Sequence, residues 1–182
     1  RYAESLIDMD DIIGVFRHFS ALTTQHAGRV VETGMPDVSS RVVTEPVGVC
    51  SLITPWNYPL LQTAWKVAPA LAAGNTLVMK PAEFTSATAL KLMELVEKAG
   101  FPAGVINVVT GYGPEVGEPL VTHPLTRHLG FTGSTKTGAH LSALAARDIK
   151  RVSLELGGKS AAIVLDDADL LPRLDANRFW QV

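Results

Sequence analysis

The sequence has a single cysteine, Cys50, among its 182 residues. An internal disulfide and a cysteine-built metal cage are thereby excluded. The five histidines, His18, His26, His123, His128 and His140, contain no close ligand pair. Basic charge is not in excess either. Sixteen Lys and Arg stand against 18 Asp and Glu, leaving a net charge of −2, so nothing electrostatic points to nucleic acid or an anionic membrane as partner. Every apolar stretch is broken by Gly, Pro or a charge well short of the ~20 residues a membrane span needs. There is no secretory pattern at the start, where Arg1 stands in place of Met and leaves room for a segment before it. A reducing, cytoplasmic setting is the default expectation. Internal repeats and low-complexity segments are also missing.

What is present is a large apolar fraction, 47%, enough for a packed core and too much for a disordered chain. The length suits one domain, or one domain with an appendage. Residues 1–30 carry helical spacing at Leu6, Ile12, Ile13, Phe16 and Leu22. Residues 34–40 read as a turn or loop and 41–45 as a strand closed by Pro46. The pattern then alternates. Strands are expected at 47–53, 76–80, 105–109, 128–131, 151–155 and 161–165. Helices are expected at 59–73, 85–99, 114–121 and 134–146, with Gly74-Asn75 and Gly100 as stops. Short buried strands separated by helices predict right-handed βαβ units, hence a doubly wound parallel sheet with helices on both faces. In such sheets ligands bind beyond the carboxyl ends of the strands, so the residues just after each strand are the informative ones.

Three glycine loops invite a nucleotide reading. Gly111-Tyr112-Gly113-Pro114-Glu115-Val116-Gly117 resembles the dinucleotide fingerprint, but its last spacing is one residue too long, and a plain turn before a helix explains it equally well. Thr132-Gly133-Ser134-Thr135 precedes a helix. Ser134 and Thr135 suit a helix cap, and the first N–H groups of that helix would face any phosphate placed there. A P-loop fails at both of its candidate positions. Ala139 and His140 follow Gly138 where Lys and Ser/Thr are required, and Ser153 stands where Gly157-Gly158-Lys159-Ser160 needs its first glycine.

Five segments fall at successive strand ends: Thr54-Pro55-Trp56-Asn57-Tyr58-Pro59, Lys80-Pro81-Ala82-Glu83, Gly111 to Gly117, Phe131-Thr132-Gly133-Ser134, and Leu154-Glu155-Leu156-Gly157-Gly158-Lys159-Ser160. In this order and spacing the chain resembles the aldehyde dehydrogenase superfamily, from about residue 2 to about residue 170. The resemblance implies a cofactor domain of modified Rossmann type and the start of a β oligomerisation arm. It also implies a catalytic domain mostly beyond this chain, which then stands as a partial subunit ending before the nucleophilic cysteine. The implied organisation is a helical segment over 1–30 and a loop and strand over 31–46 leading from the arm. An NAD-binding domain over 47–165 and a divergent tail over 166–182 complete it.

The family reaction oxidises an aldehyde to a carboxylic acid. A cysteine thiolate attacks the carbonyl, hydride passes to the nicotinamide, and a base-activated water hydrolyses the thioester. By resemblance Asn57 is the side-chain donor to the developing oxyanion, against a plain reading as a turn residue bonding local backbone. Glu155 is the general base, against a surface or ion-paired glutamate. Lys80 and Glu83 hold the adenosine ribose, against a solvated charge pair at a helix start. The negative charge of Glu83 repels a 2′-phosphate, so NAD is favoured and NADP disfavoured. Ile53, Thr54, Trp56, Gly113, Gly117, Phe131, Gly133, Ser134 and Leu156 match further cofactor contacts, and Lys66 a lysine near the catalytic centre. Cys50 lies inside an apolar strand ahead of Asn57, where a buried thiol is inert, so it is read as core and not as nucleophile.

The implied partners are a small-molecule aldehyde and, in the full-length form, further copies of the same subunit. No nucleic acid, membrane or metal is expected. The stretch from Tyr58 to Lys66 is similar to the betaine-aldehyde and semialdehyde branch. Two other readings stand beside this one. One is a non-catalytic nucleotide-binding or interaction module derived from such an enzyme. The other is an unrelated flavodoxin-like binder, in which Trp56-Asn57 and residues 155–159 have no purpose.

Overall fold

The computed structural model describes residues 2–161, 163 and 165–167. Its centre is a five-stranded sheet in which every neighbouring pair is parallel. In chain order the elements are α1 (Tyr2–Leu22), β1 (Arg29–Val31), β2 (Ser40–Val42), β3 (Val49–Ile53), α2 (Pro59–Ala72), β4 (Thr76–Lys80), α3 (Ser86–Lys98), β5 (Ile106–Val108), α4 (Glu118–Thr122), β6 (Thr126–Gly133), α5 (Thr135–Ala146) and β7 (Arg151–Leu156). The order across the sheet is β5-β4-β3-β6-β7. The chain therefore runs outward from β3 to one edge, returns beside β3 at β6, and continues to the other edge. The winding reverses between β3 and β6, and a doubly wound sheet opens a crevice at such a point.

Strand alternation sorts the core into two layers. Cys50 and Leu52 pack with Val67, Leu77, Met79 and Ala89 on the face covered by α2 and α3. Ile53 packs with Val121, Leu129, Phe131, Leu141, Leu144 and Ala145 on the face of α4 and α5. Emptying one such site, Leu77→Ala for example, would cost ~2–5 kcal/mol. Ser51 is the polar exception on β3, and it is satisfied. Its hydroxyl lies 2.9 Å from the Thr126 hydroxyl, and both bond to the Leu120 carbonyl, at 3.2 and 2.8 Å.

Helix α2 is fixed at both ends by its sequence. Pro59 occupies its first turn, where no N–H is needed. At the other end Gly74 takes φ +75°, the left-handed conformation that ends helices at little cost to glycine. Asn75 then ties the turn down: its amide donates to the Ala70 carbonyl at 3.1 Å and its Oδ1 accepts from Gly48 N–H at 3.1 Å.

Several expectations are corrected at the margins. Helix α1 stops at Leu22 instead of running to residue 30. The Thr23 and Thr24 hydroxyls bond back to the Ser20 and Ala21 carbonyls, and Arg29–Val31 pairs antiparallel with Ser40–Val42. The strand expected over 41–45 is this shorter β2. The helix expected over 114–121 is a wide turn, Gly113–Gly117, followed by the short α4. In the strand expected over 161–165, the described residues Ala161, Ile163 and Leu165 are not in a strand. The expected divergent tail lies outside the described residues from 168 onward. No helix among the described residues is long and apolar enough to cross a membrane.

Candidate cofactor cleft and its catalytic edge

Beyond the carboxyl ends of β3, β4, β6 and β7 lies a cleft of about 1060 Å³. The end of β3 contributes Ile53, Thr54, Trp56 and Asn57; the end of β4, Lys80 and Glu83; the turn before α4, Gly113 and Gly117; the end of β6, Phe131, Gly133 and Ser134; and the end of β7, Glu155 and Leu156. Every site residue expected from sequence, apart from Lys66, lines this one space. Parallel register causes the convergence. Ile53 stands level with Lys80 on one side and with Phe131 on the other, and Thr132 with Glu155.

The β3 end turns sharply. Tyr58 sits at φ 44°, ψ 50°, a left-handed conformation that costs a non-glycine residue ~1–2 kcal/mol. It swings the chain into α2 and leaves Trp56 and Asn57 exposed at the cleft wall. Thr54 continues the sheet, its N–H donating to the Lys80 carbonyl at 3.1 Å. Its hydroxyl is buried without a hydrogen-bond partner, an arrangement that costs ~1–3 kcal/mol. Lys80 is 3% exposed, and a buried ammonium needs partners. It donates to the Pro81 carbonyl at 3.0 Å and stands 3.7 Å from Glu83 Oε2.

The glycine loop resolves the spacing that departs from the fingerprint. The Glu118 N–H bonds to the Gly113 carbonyl, five residues back. A wide turn of this kind accommodates one extra residue, the one by which the loop exceeds the usual pattern. Gly111 is the position that calls for glycine. At φ +149°, an added Cβ would stand 2.4 Å from Val116 Cγ2. Gly113, by contrast, has nothing within 4 Å of where a Cβ would be, so the lining is open there. At the start of α5 the Ser134 hydroxyl accepts from Thr137 N–H at 3.2 Å, a capped helix start as well as a cleft wall.

Glu155 lies at the seam between the cleft and a second cavity of about 670 Å³. Lys66 opens on that second cavity, not on the cleft, and donates to Thr132 Oγ1 at 2.6 Å. Burial pushes its pKa below the ordinary 10.5, and the Glu155 carboxylate partly restores it. Cys50 is 2% exposed and burial raises its thiol pKa, in keeping with a core role. Sequence reasoning missed a pair at the cleft edge, where His140 Nε2 lies 3.0 Å from Glu118 Oε1. Its partners are 22 positions apart, and nothing in the pattern joins them before α4 and α5 are placed. Gln62, Lys136 and Thr137 were also missed as lining residues. Among the described residues no cluster of His, Cys, Asp and Glu could hold a metal ion.

An unpartnered buried hydroxyl, an open glycine lining, a capped helix start and an acid–base pair at the wall fit an elongated polar ligand such as a dinucleotide. The profile of the aldehyde dehydrogenase family matches residues 1–177. The chain is 48% identical over 172 residues to betaine aldehyde dehydrogenase of Bacillus subtilis (strain 168), covering 94% of this chain and 35% of that one. It is also 48% identical over 165 residues to retinaldehyde dehydrogenase 3 of Mus musculus, covering 90% and 32%. Among solved structures, betaine aldehyde dehydrogenase of Staphylococcus aureus in complex with NAD+ superposes with a TM-score of 0.88 at 48% identity, covering 93% of this chain and 34% of that one. The chain thus spans about a third of the length of the relatives it matches.

Proposed function

The chain belongs to the aldehyde dehydrogenase family, and from that premise we propose that it forms the NAD-binding part of an enzyme oxidising an aldehyde to a carboxylic acid. One observation carries the reading: residues from four strand ends, chosen on sequence alone, line one cleft at the switch point of the sheet. In this reading Glu83 and Lys80 hold the adenosine ribose. Thr54, Trp56, Ser134 and the open turn at Gly113 and Gly117 receive the rest of the dinucleotide, with Ile53, Phe131, Gly133 and Leu156 as walls. When bound, the nicotinamide supplies the hydride acceptor.

Asn57 offers its side-chain N–H to the oxygen on which negative charge develops. Such a donor acts most strongly when fixed in place, and the left-handed Tyr58 and the Pro59 start of α2 fix the backbone beside it. Glu155 takes a proton from water. Its place at the seam of two cavities leaves it reachable from either one. The substrate is a small aldehyde. The betaine, aminoaldehyde and retinaldehyde enzymes all stand at 48% identity, so overall likeness does not choose among them. The stretch from Tyr58 to Lys66 favours the betaine-aldehyde and semialdehyde branch. A reducing, cytoplasmic setting belongs to the same proposal. So does assembly into a homo-oligomer, since β1 and β2 leave Val30 and Val31 exposed, as an arm awaiting a partner would.

A second reading has its own observation. The only cysteine of the chain is core, so this chain taken alone binds the dinucleotide without turnover. The test has two arms. Calorimetric titration should give saturable NAD+ binding, unchanged by Asn57→Ala and Glu155→Gln. In a subunit that also carries a nucleophilic cysteine, aldehyde-dependent NADH formation should fall ~10²–10³-fold in Asn57→Ala and be lost in Glu155→Gln. Binding without any NADH formation supports the second reading, and absence of NAD+ binding overturns both.

A further inference from the structure

Three carboxylates line the cleft, and each already has a basic side chain beside it. Glu83 faces Lys80 at 3.7 Å, Glu118 faces His140 at 3.0 Å, and Glu155 shares its field with Lys66. Lys136 also lines the cleft, and among the described residues it has no anionic partner. Its position is an unfavourable one for a cation. It is the second residue of α5, where the partial positive charge of the helix end opposes it. Beside it, the N–H groups of Thr135 and Lys136 have no acceptor among the described residues, because the Ser134 cap satisfies Thr137 instead. Thr54 lines the same cleft, and its buried hydroxyl is unpartnered as well. Unused donors and an unpaired ammonium thus line one space, and none of its carboxylates stands within ion-pair distance of Lys136.

We propose that Lys136 is a cofactor-binding residue that neutralises the phosphates of the dinucleotide. The inference rests on the NAD-binding reading above and adds a charge contact to it. Lysine serves there as a mobile point charge, which suits a flexible diphosphate better than a fixed planar fork. The helix end and the ammonium repel each other until an anion lies between them, so the ligand gains from both.

The experiment is calorimetric titration of the chain and of its Lys136→Ala and Lys136→Arg variants with NAD+, ADP and adenosine at low and high salt. Lys136→Ala should weaken NAD+ and ADP by about five- to tenfold. Adenosine binding should not change. Lys136→Arg should keep most of the affinity, and the salt dependence of NAD+ binding should be shallower in Lys136→Ala than in wild type. The melting temperature of Lys136→Ala should match or exceed wild type, because a repelled charge leaves a helix start. Wild-type NAD+ affinity in Lys136→Ala overturns this proposal and leaves the NAD-binding reading intact. Equal loss of adenosine binding, or a lower melting temperature, makes Lys136 structural and overturns it too. A wild-type chain that does not bind NAD+ overturns both.

Discussion

In the proposed reading, Glu83 sets cofactor choice with one side chain. Its carboxylate stands 3.7 Å from the buried ammonium of Lys80. A ribose offers hydroxyls for it to accept from; a 2′-phosphate offers only charge of the same sign. Replacing the carboxylate by its amide keeps the shape and removes the repulsion. Glu83→Gln should therefore narrow the preference for NAD+ over NADP+ by roughly tenfold, mainly by tightening NADP+, as read from dissociation constants for the two cofactors. It should also melt at a lower temperature than wild type, because Lys80 remains buried and loses its carboxylate. An unchanged ratio of the two constants would remove Glu83 from the ribose.

Between neighbouring elements, parallel register sets side chain against side chain. His128 of β6 stands level with Arg151 of β7. Burial lowers the His128 pKa below its ordinary 6.5, and the Arg151 guanidinium lowers it further. The folded chain thus holds His128 neutral where the unfolded chain protonates it. This contribution to stability is complete above pH 6.5 and is lost as pH falls from 6.5 through the lowered value. His128→Gln should flatten the acid side of the stability curve, seen as a smaller drop in melting temperature between pH 7.5 and 5; an identical drop in both proteins would count against it. None of this was legible in sequence, because which residue faces His128 depends on how β7 docks. The glycine loop was half legible. Its residues marked a nucleotide loop, but its surplus residue read as a defect until the wide turn at Gly113–Gly117 absorbed it. The strand ends read well because apolar runs closed by Gly, Pro or charge are local signals. The lower end of α1 did not: the apolar spacing stops at Leu22 with the helix, but no Gly or Pro follows at once, and the end is made by the Thr23 and Thr24 hydroxyls bonding back.

At the scale of the whole molecule, the cleft exists because the sheet winds both ways from β3. Trp56, Glu83, Ser134 and Glu155 are far apart in sequence, and only the order β5-β4-β3-β6-β7 brings them to one rim. The motifs pointed to that rim, but the partition of Lys66 and Glu155 between two cavities needed the packed sheet. A ligand in the cleft touches segments that follow β3, β4, β6 and β7 at once, so it links both halves of the winding. Binding to the folded chain alone must then stabilise the whole sheet. At NAD+ a hundredfold above its dissociation constant, the gain should be ~2.7 kcal/mol. For a chain of this size that is a rise in melting temperature of roughly 5–10 °C. The rise should follow the logarithm of NAD+ concentration. Adenosine, which in the proposed reading reaches only the Glu83 side, should need a higher concentration for the same rise. A melting temperature indifferent to NAD+ would mean that the rim does not act as one site, however well its residues converge.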